Sequence, residues 1–289
     1  MSRIAIIGGG NMCEALLSGL LRAGRPVKDL VVSEKSPERS EYLSRTYGVR
    51  LAPMSDAVEN VGFVILAVKP HDIDPVIAGI ADAAARAEGH AAEQVLVSVV
   101  AGVSTGHYEA RLPAGFPVIR VMPNAPALVG AGVSALSAGR FATAEQLAEV
   151  AEVFESVGSA LTVPEDQIDT VTAVSGSGPA YYFLFLEALV DAAVANGLNR
   201  GLATDLAVKT MAGSAAMVLE RLDEAREGAA GSAGRPDTTA TELRALVTSP
   251  GGTTAAGLRE LERGGLRVAV AAAVEAAKTR SEQLGTTYE

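Results

Sequence analysis

The chain has 289 residues, 48% of them hydrophobic, with 30 glycines and strongly Ala/Val/Leu-rich segments, which is the composition of a folded α/β or α protein with room for two ordinary domains rather than of a disordered chain. Its 24 Lys and Arg against 34 Asp and Glu leave a formal charge of −10, so no basic stripe exists to track a phosphate backbone and nucleic acid is excluded as a partner. A single cysteine, Cys13, excludes an intramolecular disulfide and any multi-cysteine metal site, as expected in a reducing compartment.

Arg3 to Gly8 is a short isoleucine-rich run that meets glycines at once and continues into an amphipathic stretch, Glu14 to Ala23, the pattern of strand, tight turn and helix. The apolar run is too short for a signal peptide. The turn reads Gly8-Gly9-Gly10-Asn11-Met12-Cys13, with Cys13 in the place of the third small residue of a dinucleotide fingerprint. Gly8 permits the turn, Gly10 lets a pyrophosphate approach the backbone, and a small residue at 13 lets the helix pack on the strand, so Cys13 is expected to pack rather than react. Asp29 to Ser33 reads as a second strand, ending where an adenosine ribose is read. Glu34 there favours a free 2′-hydroxyl, and Ser33, Lys35, Ser36 and Arg39 favour a 2′-phosphate, so NADP is expected with NAD possible.

Strands follow at Phe63 to Val68 and Val95 to Val100. The first ends in Lys69-Pro70-His71, which puts Lys69 at a strand's carboxyl end as a candidate cofactor contact. Val118 to Val121 is a fifth strand and Gly132 to Leu136 a sixth, and the prolines flanking Asn124 between them project its side chain, toward the pocket in this reading. Thr143 to Val157 is an amphipathic helix and Ala160 to Val163 a last strand. At Pro164 the texture changes, which predicts a doubly wound Rossmann-type domain over 1–163 and an all-helical domain over 164–289.

In the second part a breaker cluster at Ser175 to Pro179 precedes a helix to about Asn196, closed by Gly197, and a helix from about Ala203 to Arg221 follows. The longest greasy stretch, Ala180 to Leu198, carries Glu187, Asp191 and Asn196, so it is expected to be a buried helix rather than a membrane span, in a cytoplasmic protein with no membrane partner. Tyr181, Tyr182, Phe183 and Phe185 offer more aromatic surface than one small helical domain needs, which points to an interface. Asp223 to Thr239 lacks periodicity and reads as a mobile loop. Then comes V-T-S-P-G-G-T-T-A-A-G-L-R-E-L-E-R-G-G-L-R, Val247 to Arg267, before a final helix from Gly265 to Gln283. Gly251 and Gly252 let backbone N–H groups converge on one point, and the next helix adds the positive end of its dipole, with Thr253 and Thr254 as candidate caps: an anion trap.

The glycine turn, A-V-K-P, M-P-N-A-P, S-G-S-G-P-A-Y and above all V-T-S-P-G-G-T-T together resemble the pyrroline-5-carboxylate reductases, nearly end to end. The glycine turn is shared by hundreds of dehydrogenases; the last motif is specific to that family. The resemblance implies a Rossmann domain that binds NAD(P)H and a helical domain that forms a homodimer, often assembled further. It implies reduction of L-1-pyrroline-5-carboxylate to L-proline, the last step of proline biosynthesis. It also implies cofactor contacts at Ile7, Gly8, Gly9, Gly10, Asn11 and Met12, at Ser33, Glu34, Lys35 and Ser36, at Ala67, Val68, Lys69 and Pro70, and at Val99, Val100 and Ala101. Substrate contacts are implied at Ser249, Gly251, Gly252, Thr253 and Thr254. Two departures stand out: Glu34 where many members carry a neutral residue, and T-A-T-E-L-R in place of H-P-x-x-L-R/K.

The residues agree with that chemistry. A cyclic imine needs a hydride donor, a seat for its carboxylate and a partner for its ring nitrogen, and the Thr254 hydroxyl is the choice for the last. The histidines His71, His90 and His107 are scattered, so neither a catalytic triad nor a metal site is expected; an imine protonates readily, and placement of an iminium carbon against the nicotinamide can carry much of the rate. Two alternatives remain. A β-hydroxyacid dehydrogenase of the same plan needs a lysine where this chain has Ser177 to Tyr182, and a cofactor sensor has no use for a substrate trap.

Overall fold

The computed structural model describes residues 2–86, 94–228 and 237–286. Among them, β1 (Ile4–Ile7), β2 (Leu30–Ser33), β3 (Arg50–Leu51), β4 (Phe63–Leu66), β5 (Val95–Ser98), β6 (Val118–Met122), β7 (Gly132–Ala138) and β8 (Gly158–Thr162) form one sheet in the order 3-2-1-4-5-6-7-8. Strands β1 to β6 pair in parallel; β7 is antiparallel to β6 and parallel to β8. Parallel neighbours need long crossovers, and these are supplied by α1 (Asn11–Arg22), α2 (Pro37–Tyr47), α3 (Met54–Ala57), α4 (Ile73–Arg86) and α5 (Thr105–Glu109), with α6 (Ala144–Glu155) leading from β7 to β8.

The continuous apolar strands follow from burial on both faces. Ile4, Ile6, Leu30, Val32, Phe63, Ile65, Val95 and Val97 point to one face, where they meet Leu16, Leu17 and Leu20 of α1 and Val150, Val153 and Phe154 of α6. Their neighbours Ala5, Ile7, Val31, Val64, Leu66 and Leu96 point to the other, against Val76, Ile77 and Ile80 of α4 and Tyr108 of α5. Strand order reverses between β1 and β4, which opens a crevice at the carboxyl ends of these strands.

After β8 come α7 (Ile168–Val171), a π-helical turn (Thr172–Gly176), α8 (Gly178–Ala195), α9 (Arg200–Gly228), α10 (Thr239–Leu246), α11 (Thr253–Arg263) and α12 (Leu266–Thr286). The strands stop before Pro164, as expected. Compactness nevertheless divides the chain into Met1–Pro179 with Val274–Glu289, and Ala180–Ala273. Polar ties explain why 164–179 and the end of α12 stay with the sheet. The buried Arg120 guanidinium on β6 lies 3.4 Å from Glu165 and 3.8 Å from Asp169, and the Ser281 hydroxyl of α12 donates to Asp169 at 2.6 Å.

Three readings change. The expected loop over 223–239 is helical to Gly228 and again from Thr239, because the Glu and Arg residues that lack apolar periodicity still carry good helix propensity; 229–236 lie outside the described residues. Asn124 does not face the cleft: its carboxamide donates to the Ser175 carbonyl at 3.1 Å and accepts from the Val133 N–H at 2.9 Å, stapling the π-helical turn to β7. The stretch over 180–198 is not buried within the chain. Among the described residues of the unit Ala180–Ala273 the buried hydrophobics are Val190, Ala203 and Ala207, whereas Tyr182, Phe183 and Leu184 on α8 are each about two-thirds exposed, as is Leu219 on α9. By length and composition alone, Glu165–Ala195 and Arg200–Ala225 could each cross a membrane. Asp191 on α8 and Arg200 on α9 pair at 2.7 Å.

Candidate active site

The glycine turn between β1 and α1 has the geometry its residues require. Gly8 has φ +101°, and a Cβ there would stand 2.5 Å from the Ala67 carbonyl oxygen, so both the left-handed backbone and the approach to the end of β4 demand glycine. Gly10 is the N-cap residue of α1 and a Cβ on it would meet nothing within 4 Å, which leaves backbone open to a ligand at the positive end of the helix. Cys13 is fully buried under the turn; burial pushes its thiol up to about 12, so it is a packing residue.

Charged side chains hold this turn from behind. Glu34, just past β2, accepts from the Gly9 N–H at 2.5 Å and from the Ser36 N–H at 2.7 Å. Arg39 on α2 donates through Nε to the Gly9 carbonyl at 2.5 Å and pairs with Glu14 of α1 at 2.5 Å, its guanidinium 4.9 Å above the Tyr42 ring. Glu14 also accepts from the Tyr42 and Tyr47 hydroxyls at 2.7 and 3.0 Å. Burial alone would raise the Glu14 carboxyl, but these hydrogen bonds outweigh it and hold the carboxyl below its usual range. Ser36 caps α2 by accepting from the Arg39 N–H at 3.3 Å.

The turn opens onto a cleft of about 920 Å³, whose walls include Ile7, Gly8, Gly9, Gly10, Ser33, Glu34, Lys35, Ala67, Val68 and Lys69. Ten of the residues expected at a cofactor therefore share one cavity, whereas Asn11, Met12, Ser36, Pro70, Val99, Val100 and Ala101 do not line it. Leu51 to Met54 complete the wall beside β2; a strand of two residues gives no periodic signal, and only Pro53 marked the turn. His71 and Asp72 line it as well, on a 3-10 turn after β4. His107 is on α5 and His90 lies outside the described residues.

The anion trap lies in the other unit. Gly251 has φ +70°, and Gly252 is the N-cap of α11, its N–H already bonded to the Ser249 carbonyl at 3.0 Å. Thr253 and Thr254 are thus not caps: they occupy the first turn, because Gly252 takes the extended N-cap conformation ahead of them. The first-turn N–H groups, which helix geometry leaves without an intrahelical acceptor, belong to Thr253, Thr254 and Ala255, and no acidic side chain stands in that turn. Ser249, Gly251, Thr253 and Thr254 are exposed in the single chain. Among the described residues, no three His, Cys, Asp or Glu side chains converge as a metal site would require.

Residues 165–284 match the family model described as pyrroline-5-carboxylate reductase dimerisation, and residues 3–102 match one described as NADP oxidoreductase, coenzyme F420-dependent. A pyrroline-5-carboxylate reductase of Mycobacterium tuberculosis is 64% identical over 100% of this chain and 99% of that protein, and one of Corynebacterium melassecola is 42% identical over 99% of both. Among solved structures, a Coxiella burnetii pyrroline-5-carboxylate reductase superposes with a TM-score of 0.86 at 33% identity, covering 98% of each chain. A Plasmodium falciparum pyrroline carboxylate reductase with NADP bound superposes at 0.81 and 28% identity, with the same coverage.

Proposed function

We propose a division of labour among the residues of this chain from the premise that it belongs to the pyrroline-5-carboxylate reductase family, shown by 64% identity over its whole length. It is an oxidoreductase that reduces L-1-pyrroline-5-carboxylate to L-proline with NADP(H) as cofactor. The cleft fits that cofactor: its volume suits a dinucleotide, and the open backbone at Gly10 sits at a helix N-terminus. When bound, the cofactor supplies the hydride. Ile7, Gly8 and Gly9 shape the turn, the Gly8 and Gly9 N–H groups being taken by the Ser33 carbonyl and Glu34, and the N–H groups of Gly10, Asn11 and Met12 hold the pyrophosphate. Ser33 to Ser36 read the adenosine ribose, and Ala67 to Pro70 with Val99 to Ala101 line the path toward the nicotinamide.

On the substrate side, Ser249, Gly251, Gly252, Thr253 and Thr254 bind the imine. The first-turn N–H groups of α11 hold its carboxylate, and the Thr254 hydroxyl meets the ring nitrogen. The Gly252 N–H serves the loop rather than the substrate. The chain works as a cytoplasmic homodimer, or a larger assembly of dimers, whose interface covers the apolar faces of α8 and α9. By role its domains are 1–163, for the cofactor, and 164–289, for dimerisation and substrate, even though 164–179 and the end of α12 pack with the sheet in the single chain. The exposed Tyr182, Phe183 and Leu184 support this reading. The observation that carries the active-site assignment is the Gly-Gly start of α11 with its unpaired first turn, a feature that a cofactor sensor has no need of. Imine-dependent loss of the reduced cofactor's absorbance is expected with folded protein; an absence of turnover with NADPH and with NADH would refute it.

A further inference from the structure

The two cations nearest the adenosine end are both engaged by carboxylates of the chain. Arg39 is held by Glu14 and by the Gly9 carbonyl. Lys35, three-quarters exposed, donates to Asp72 Oδ1 at 2.8 Å, and Asp72 is one-third exposed. Lys35 follows β2 and Asp72 stands on the 3-10 turn after β4, yet both line the same cleft, so this ion pair joins its two walls at the end where the ribose of a nucleotide is read. His71 adds no second anchor to Lys35; its Nε2 lies 3.5 Å from the other Asp72 oxygen.

We propose that Asp72 is a specificity-determining residue, which moderates the preference for NADPH over NADH by pairing with Lys35 across the rim of the cleft; this rests on the assignment of the cleft to the cofactor. A 2′-phosphate entering there meets Glu34, whose oxygens are fixed by the Gly9 and Ser36 N–H groups, and Asp72, while Lys35, the exposed cation that follows β2, already has an anionic partner. An exposed ion pair of this kind is weak, so a phosphate can draw Lys35 away. The Asp72 charge remains in place and opposes the phosphate, whereas a 2′-hydroxyl feels neither effect.

The test is calorimetric titration of the full-length protein with NADP⁺ and with NAD⁺, alongside kcat/KM for NADPH and NADH. In Asp72→Asn and in Asp72→Ala, the ratio of NADP⁺ to NAD⁺ affinity should rise roughly three- to tenfold, the size of effect expected for removing one charge beside a phosphate at a solvated rim. Lys35→Ala should lower the ratio in the wild type and shrink, without abolishing, the gain in the Asp72→Asn background, because the direct repulsion by Asp72 does not depend on Lys35. A ratio that stays within about twofold of wild type, or falls, in both Asp72 variants overturns the proposal, as does a gain that is just as large without Lys35 as with it. Should wild-type protein bind neither nucleotide, the cofactor assignment itself fails, and that failure is distinct because it needs no variant.

Discussion

Glu34 has both carboxylate oxygens committed to the N–H groups of Gly9 and Ser36, so it shapes the glycine turn and, in the proposed cofactor site, would present negative charge to the ribose at once. Glu34→Ala should therefore raise the NADPH-to-NADH ratio of kcat/KM while weakening both cofactors through the loosened turn; an unchanged ratio would show that Glu34 does not read the ribose. Glu14 works one step further back, under three donors, and its carboxyl is depressed from the usual 4.5. A folded value below the unfolded one means that the stabilisation is complete above the unfolded pKa and is lost as the pH falls through the folded one. The difference in Tm between wild type and Glu14→Gln should accordingly be full at neutral pH, shrink as the pH falls below the usual 4.5 and be gone only below the depressed folded value, followed by circular dichroism. At the substrate, Thr254→Ala should cost about 1.5–3 kcal/mol of transition-state stabilisation, roughly ten- to a hundredfold in kcat/KM, with cofactor affinity nearly unchanged. A variant within about twofold of wild type would move the ring-nitrogen contact elsewhere.

The start of α11 depends on one backbone conformation. Gly251 at φ +70° has open space where a Cβ would stand, so Gly251→Ala strains the backbone without a clash, by about 1 kcal/mol. Its expected signature is a raised KM for the imine at unaltered cofactor binding, read by steady-state kinetics. The Gly-Gly pair and the Ile- and Val-rich strands were legible in sequence because each follows from a local rule: left-handed turns want glycine, and strands buried on both faces want continuous β-branched residues. What escaped was non-local or too short to have a period. Residues 50–51 form a strand only because Val31 and Val32 of β2 pair with them. The polar helix α2 starts from Ser36-Pro37 but carries one buried residue, Leu43, so its face shows no apolar stripe. Arg39 looked available to a phosphate because Glu14, its partner, is distant in the chain, and Asp72 could not be matched with Lys35 for the same reason. Asn124 was misread on a loop rule that says a side chain projects but not where its hydrogen bonds go.

At the scale of the molecule, a unit whose described residues include three buried hydrophobics, against exposed apolar side chains on each of α8 to α12, is unfinished as a monomer. If the trap of one chain serves the cofactor cleft of the other, two dead variants should complement each other. Gly10→Val fits the fold, since nothing lies within 4 Å of that position, but obstructs the pyrophosphate. Thr254→Ala with Gly252→Val disables the trap. Random reassociation makes about half the dimers mixed, and each has one intact site, so roughly a quarter of wild-type activity should return. Activity that stays at the floor after verified subunit exchange would assign each site to a single chain. The buried Cys13 bears on such work in another way. The chain has no tryptophan, so its unfolding is silent to indole fluorescence, but its one thiol lies under the cofactor turn at 0% exposure. An alkylating reagent can add its mass there only when the sheet opens, and the rate of that single mass step is a clock for global opening that needs no engineered probe. Nucleotide should slow the clock by a factor of one plus the ratio of its free concentration to Kd, which turns the most inert group of the protein into a gauge of how tightly its cofactor is held.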